Sequence, residues 1–213
     1  MLDRKEPVTH DGPEIQLPYR GPGALGQGKP LKSIMHPVAP IQLWLASGGP
    51  KNTALAAELC DGWLPMGLGA EGVPDVIRAR GEGFDVFTGA SVTITDDVKG
   101  TLDAMRPLTA MYVGGMGSES HNYHREAMAR RGFPEAAVKI GELWRAGKKA
   151  EAQAAVPEEY LEQTSLCGSP DRIRRRWVEG YTLPGVTGVI ISTQQPEALD
   201  LMADLAGTRE VVA

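Results

Sequence analysis

A chain of 213 residues with 42% hydrophobic and 23% charged side chains can bury a sizeable core, which excludes disordered and fibrous classes. Its net charge of −5 offers no general cationic field to a nucleic acid, and the densest basic run, Arg172 to Arg176, reads as a solvated helix face with Ile173 and Trp177 turned inward. No stretch approaches the roughly 18 apolar residues of a membrane span, and the charged start Met1-Leu2-Asp3-Arg4-Lys5-Glu6 lacks a signal peptide's apolar centre, so the expected location is cytoplasmic.

The elements follow in order. Val8-Thr9, His10-Asp11-Gly12 and the alternating Ile15-Gln16-Leu17 predict a small surface hairpin, and residues 20–30 are a Gly/Pro-rich loop. Ile41 to Ser47 is an apolar run suited to a buried parallel strand, ended abruptly by Gly48-Gly49-Pro50. The next helix is expected to bury a stripe of Ala54, Leu55, Leu59 and the neighbouring alanines, and Asp61-Gly62 opens a second strand, Trp63 to Met66. A third strand is expected at Val92 to Thr95, and Asp96-Asp97 can cap a helix carrying Val98, Leu102, Met105 and Leu108, kinked at Pro107. A long helical stretch follows, with Ala136, Ile140, Leu143 and Trp144 at helical spacing. Ser169-Pro170-Asp171 carries a cap, a first-position proline and a first-turn acid, the pattern of a helix start. Val186 to Ile191 is a last buried strand, and Pro196 opens a closing helix with Leu199, Met202 and Leu205. Four strands alternating with helices imply an α/β fold with a parallel sheet, either small and open or about half of an eight-stranded barrel.

In both architectures the working loops follow strand ends. Ser47-Gly48-Gly49-Pro50-Lys51-Asn52 is the strongest candidate, because two glycines let backbone N–H groups turn toward an anion at a helix N-terminus and Lys51 adds a point charge. An ordinary tight turn is the competing reading. The loop is neither GxGxxG nor GKS/T. His121 and His124 share a helix face without a third ligand, so no metal is expected, and Cys60 and Cys167 are read as small core residues. His36 precedes the first strand and is read as structural, and no nucleophile elbow appears. Glu71 and Asp75, about 20 residues past the glycine loop, leave a small nucleotide-binding module as a further alternative.

Several segments together resemble the luciferase-like oxidoreductases, in particular the branch that uses the deazaflavin coenzyme F420. They are Gly28-Lys29-Pro30-Leu31-Lys32-Ser33-Ile34, Ala46 to Asn52, Ala56 to Pro65, Tyr112-Val113-Gly114-Gly115-Met116-Gly117 and Gly168 to Ile173, so the resemblance runs from about residue 28 onward. It implies a (β/α)8 TIM barrel with a helical insertion before the last strand. The cofactor phosphate would lie on Ser47, Gly48, Gly49, Pro50, Lys51 and Asn52, and the substrate near Met66 and Gly67. It implies hydride transfer between F420 and a small, apolar organic substrate, or, with FMN as cofactor, oxygen-dependent monooxygenation. The family's first four strands have no counterpart, so the chain is expected to be the C-terminal half of the barrel: a hairpin and loop at 1–36, strands and helices at 37–97, the insertion at 98–185, and the last strand and helix at 186–213. No catalytic residue can be carried over. An inactive fragment is the alternative from another class, and a homo-oligomer is left open.

Overall fold

The computed structural model describes residues 5–65, 67–68 and 72–208, so Met66 and Glu71 lie outside the described residues. The chain divides into two compact units, Met1–Gln42 and Leu43–Ala213. In the first, β1 (His10–Asp11) pairs antiparallel with β2 (Gln16–Leu17), with His10 opposite Leu17. The turn closes where Gly12 N donates to Ile15 O at 3.0 Å.

The second unit opens with β3 (Trp44–Ala46), α1 (Pro50–Leu59), β4 (Gly62–Leu64), α2 (Asp75–Arg78) and β5 (Asp85–Ile94). Six helices follow: α3 (Val98–Asp103), α4 (Arg106–Gly115), α5 (Tyr123–Arg130), α6 (Pro134–Arg145), α7 (Lys149–Ala154) and α8 (Glu158–Glu162). Then come β6 (Ser165–Gly168), α9 (Pro170–Gly180), β7 (Gly188–Ser192) and α10 (Pro196–Ala206).

Every pairing in this sheet is parallel. The long strand β5 organises it. Its odd residues bond to one edge, Asp85 N to Asp61 O and Ser91 N to Thr164 O, both at 3.1 Å. Its even residues bond to the other, where Thr187 N donates to Val86 O at 2.9 Å. β4 and β6 therefore share one edge of β5, at its start and its end, while β7 takes the opposite edge. The order β3-β4-β5-β7 follows the chain, and β6 is an extra strand on the length of edge that β4 leaves open.

The buried face of β5 carries Val86, Thr88, Ala90 and Val92. The opposite face is held close by two aromatic rings. Trp44 lies over its pairing partner Gly62 and Phe87 over Gly188, so that a Cβ on either glycine would meet ring carbon at 2.6 Å. The two rings meet edge to face at 4.8 Å.

Several expectations change. β5 begins seven residues before the expected Val92, and β6 was not anticipated. In α1 the alanines Ala56 and Ala57 are buried as expected, with Thr53 beside them, whereas Ala54, Leu55 and Leu59 face solvent, because the small side chains bring this helix close against the sheet. Pro107 does not kink a single helix: the chain breaks between α3 and α4, which resets the helical phase and leaves Leu108 exposed. Leu199 of α10 is exposed too, and Ala198, Leu201 and Met202 form its inner face. Cys167 is buried, but Cys60 is only partly so. In the basic run, Arg172 and Arg176 are partly buried and pair with Glu162, while Arg174 and Arg175 are exposed as expected, Arg174 with Asp171 at 2.9 Å. Both expected caps are present: Asp97 Oδ1 accepts from Gly100 N at 2.8 Å and Ser169 Oγ from Arg172 N at 3.3 Å. Among the described residues, no helix is long and apolar enough to cross a membrane.

Candidate functional site

The site is built where β3 and β4 end. Ser47 N donates to Leu64 O at 3.1 Å, which carries the ladder one residue past β3. The indole Nε1 of Trp63 then donates to Ser47 O at 3.0 Å and to Ser47 Oγ at 3.1 Å. One proton shared between two oxygens fixes Ser47 and leaves its own hydroxyl proton to be donated elsewhere.

Helix α1 starts three residues later. Its cap residue is Gly49, Pro50 occupies its first turn, and that turn has neither a capping side chain nor an acidic residue. Thr53 N reaches Gly49 O at 2.9 Å, the first bond of the helix. The N–H groups of Lys51 and Asn52 precede it and have no partner within the helix, so the positive end of the helix is available to an anion. Gly49 sits at φ −98°, a value any residue adopts. Its contribution is therefore room and not an unusual backbone: a Cβ here would meet nothing within 4 Å.

This helix end borders a cavity of about 290 Å³. Gly48, Pro50, Thr53 and Trp63 line it. So do Gly67, Leu68, Pro74 and Val76, together with Tyr123, Ala127, Arg130 and Arg131 of α5 and its C-terminal cap. Of the candidates drawn from sequence, Gly48, Pro50 and Gly67 line the cavity, Ser47 is buried behind it, Lys51 and Asn52 are exposed at the helix start, and Met66 lies outside the described residues.

Sequence reasoning missed Thr53, Trp63, Tyr123 and the two arginines. The helix that brings three of them is placed by Asn122, which is 2% exposed. Its Oδ1 accepts from Arg125 N and its Nδ2 donates to Val113 O, both at 2.9 Å, so one side chain caps α5 and ties it to α4. An asparagine cap before an eight-residue helix that ends on Arg130-Arg131-Gly132 was the available signal.

Arg130 pairs with Glu126 at 3.7 Å and reaches Gly48 O at 3.5 Å. Arg131 is more deeply set. Its Nε donates to Gln163 Oε1 at 2.8 Å and its guanidinium lies 4.3 Å over the Tyr160 ring. Its buried Nη2 has no hydrogen-bond partner among the described residues. Burial lowers its pKa, an effect that Tyr160 and Tyr181 oppose. Burial also raises the pKa of Tyr123. The imidazoles of His121 and His124 are occupied separately. His124 lies against Tyr112 and Tyr123 at 4.6 and 5.4 Å, and His121 Nδ1 is 2.9 Å from Ser120 Oγ. Among the described residues, no group of three or more His, Cys, Asp and Glu could hold a metal.

The sequence profile of the luciferase-like monooxygenases matches residues 1–188. The chain belongs to that family. The match begins well upstream of residue 28, so the hairpin segment is included in it. This luciferase-like chain is 36% identical over 216 aligned positions to a Mycobacterium tuberculosis protein provisionally named a coenzyme F420-dependent oxidoreductase. That alignment takes in 95% of this chain and 62% of the relative, so the luciferase-like chain spans less than two thirds of that protein. Among the solved structures that share its fold are these two. One is the coenzyme F420 dependent tetrahydromethanopterin reductase of Methanopyrus kandleri, with TM-score 0.50, 22% identity, and 79% of this chain and 49% of that one covered. The other is an F420-dependent secondary alcohol dehydrogenase in complex with an F420-acetone adduct, with TM-score 0.57, 13% identity, and 96% and 55% covered.

Proposed function

We propose that the protein is an oxidoreductase that uses coenzyme F420, with the cofactor's phosphate at the start of α1, on the loop Ser47 to Asn52, and a small organic substrate in the adjoining cavity beside Gly67. The observation that carries this reading is the α1 N-terminus: a first turn without a capping side chain or an acidic residue, and open space at Gly49 where a phosphate oxygen would approach. The 36% identical relative is named for F420, which favours the deazaflavin over FMN. When bound, a deazaflavin exchanges a hydride with an organic partner. The chain's own share is positional: Ser47 and the backbone N–H groups of Lys51 and Asn52 would hold the phosphate, Lys51 would add charge, and Trp63 would keep the loop in place. We read β3, β4, β5 and β7 as four consecutive strands of a (β/α)8 barrel and the segment from α3 to α9 as its insertion, because their order in the sheet follows the chain.

The test is a spectroscopic titration of the full chain with oxidised F420 and, separately, with FMN. Tight binding of F420, weakened at least tenfold in Gly49→Val with an unchanged circular dichroism spectrum, is the expected result. Preference for FMN, with oxygen consumed on reduction, would overturn the cofactor assignment, and F420 binding indifferent to Gly49→Val would overturn the loop assignment.

A further inference from the structure

The cavity walls are mostly apolar, with Pro50, Trp63, Leu68, Pro74 and Val76 among them, yet two guanidinium groups also line it. Among its described lining residues there is no Asp or Glu. The two arginines are not equivalent. Arg130 has Glu126 nearby at 3.7 Å, whereas Arg131 has no acidic partner among the described residues and spends its Nε on a neutral carboxamide and the face of its guanidinium on an aromatic ring. That leaves Nη1. It stands beside Gly67, at a position 3.2 Å from where a Cβ on residue 67 would be. Gly67 also holds φ +126°, which L side chains rarely adopt, so no side chain at this position comes between the wall and the guanidinium, and Arg131 itself lines the cavity.

A cation taken out of water without a counter-ion is costly, and an anion that arrives with its own apolar body recovers that cost while covering the walls. We infer that the cavity takes a small molecule with an apolar body and one terminal anionic group, a carboxylate being the simplest, held at Nη1 of Arg131 with Arg130 at the mouth. This rests on the cavity being the substrate pocket, and it sharpens the expectation of an apolar substrate to an apolar acid. Phosphate chemistry would suit the same guanidiniums, so the cofactor's own phosphate is the competing source of the anion.

Hexanoate and its neutral isostere hexanamide serve as probes, titrated into the full wild-type chain without any deazaflavin and followed by NMR of the Gly67 amide and the arginine side chains. Hexanoate should perturb Gly67 and Arg131 and bind at least tenfold more tightly than hexanamide. Arg130→Gln, on a half-exposed side chain, should weaken hexanoate several-fold and leave hexanamide unchanged. Equal affinities for acid and amide would overturn the inference. So would displacement of hexanoate by inorganic phosphate, which would hand the guanidiniums to the cofactor. Because deazaflavin is absent from these titrations, their outcome is separate from that of the cofactor assignment.

Discussion

Replacing Asn122 by alanine tests how the helical wall of the cavity is held. The change removes two bonds of 2.9 Å at a position only 2% exposed. Loss of the cap on α5 costs about 1 kcal/mol, and the Val113 carbonyl left without its donor in a buried setting costs about 1–3 kcal/mol more. The sum, about 2–4 kcal/mol, corresponds to a fall in Tm of roughly 4–16 °C for a chain of this size, read by thermal and denaturant unfolding. Asn122→Asp separates the two terms. The carboxylate keeps the cap, but it cannot donate to Val113 O until it is protonated. Folding in this variant is thus coupled to proton uptake, and its deficit relative to wild type should shrink as pH falls. Asn122→Ala within about 0.5 kcal/mol of wild type would refute the reasoning, since surface changes without structural consequence fall in that range.

Three further outcomes follow from the structure. Gln195→Ala deletes a carboxamide that accepts from Ile94 N at 2.7 Å and donates to Ile94 O at 3.0 Å; it should cost about 1–3 kcal/mol and raise hydrogen exchange at the Ile94 amide while sparing Ser91, whose N–H goes to the other edge. Gly62→Ala would drive a methyl group into the Trp44 ring and should cost about 1–3 kcal/mol, with altered near-ultraviolet circular dichroism from the Trp44–Phe87 pair; an unaltered spectrum and melt would contradict the packing described. Burial lowers the pKa of His124 from its ordinary value of 6.5, so the unfolded chain takes up this proton before the folded chain does. The residue's contribution is therefore present above about pH 6.5 and lost as pH falls from there toward the lowered folded value. A His124 ring titrating at or above that pH in NMR would contradict this.

Local chemistry made part of the fold legible. Ser169-Pro170-Asp171 and Asp97 mark helix starts because a cap acts within its own turn, and Asp61-Gly62 marks the start of β4 because glycine is needed there for the Trp44 ring. Gly89 concealed the first half of β5: a glycine in a strand interior interrupts the apolar pattern, although in the sheet its open surroundings make it harmless. Ser165 to Gly168 has no β-branched residue and no alternation, so β6 exists only because β5 offers it an edge. At the site, the glycine loop could be read from five or six adjacent residues. Arg131 could not. Its placement depends on Gln163, 32 residues away, and on the Tyr160 ring, and no short window of sequence contains that arrangement.

The long helical segment leaves the sheet after Ile94 and rejoins it at Ser165, at opposite ends of the one short ladder that joins β5 to β6, where Thr95 N donates to Gly168 O and Ser91 N to Thr164 O, each at 3.1 Å. A segment that departs and returns on one ladder behaves as a cassette. Doubling its length adds only about 0.6 kcal/mol of closure entropy, and its removal leaves the ladders of β4 and β7 on β5 untouched. The arginine wall travels with this cassette, while the start of α1 stays with the sheet. Grafting a different stretch between Ile94 and Ser165 would therefore exchange the arginine wall of the cavity and leave the uncapped start of α1 as it is.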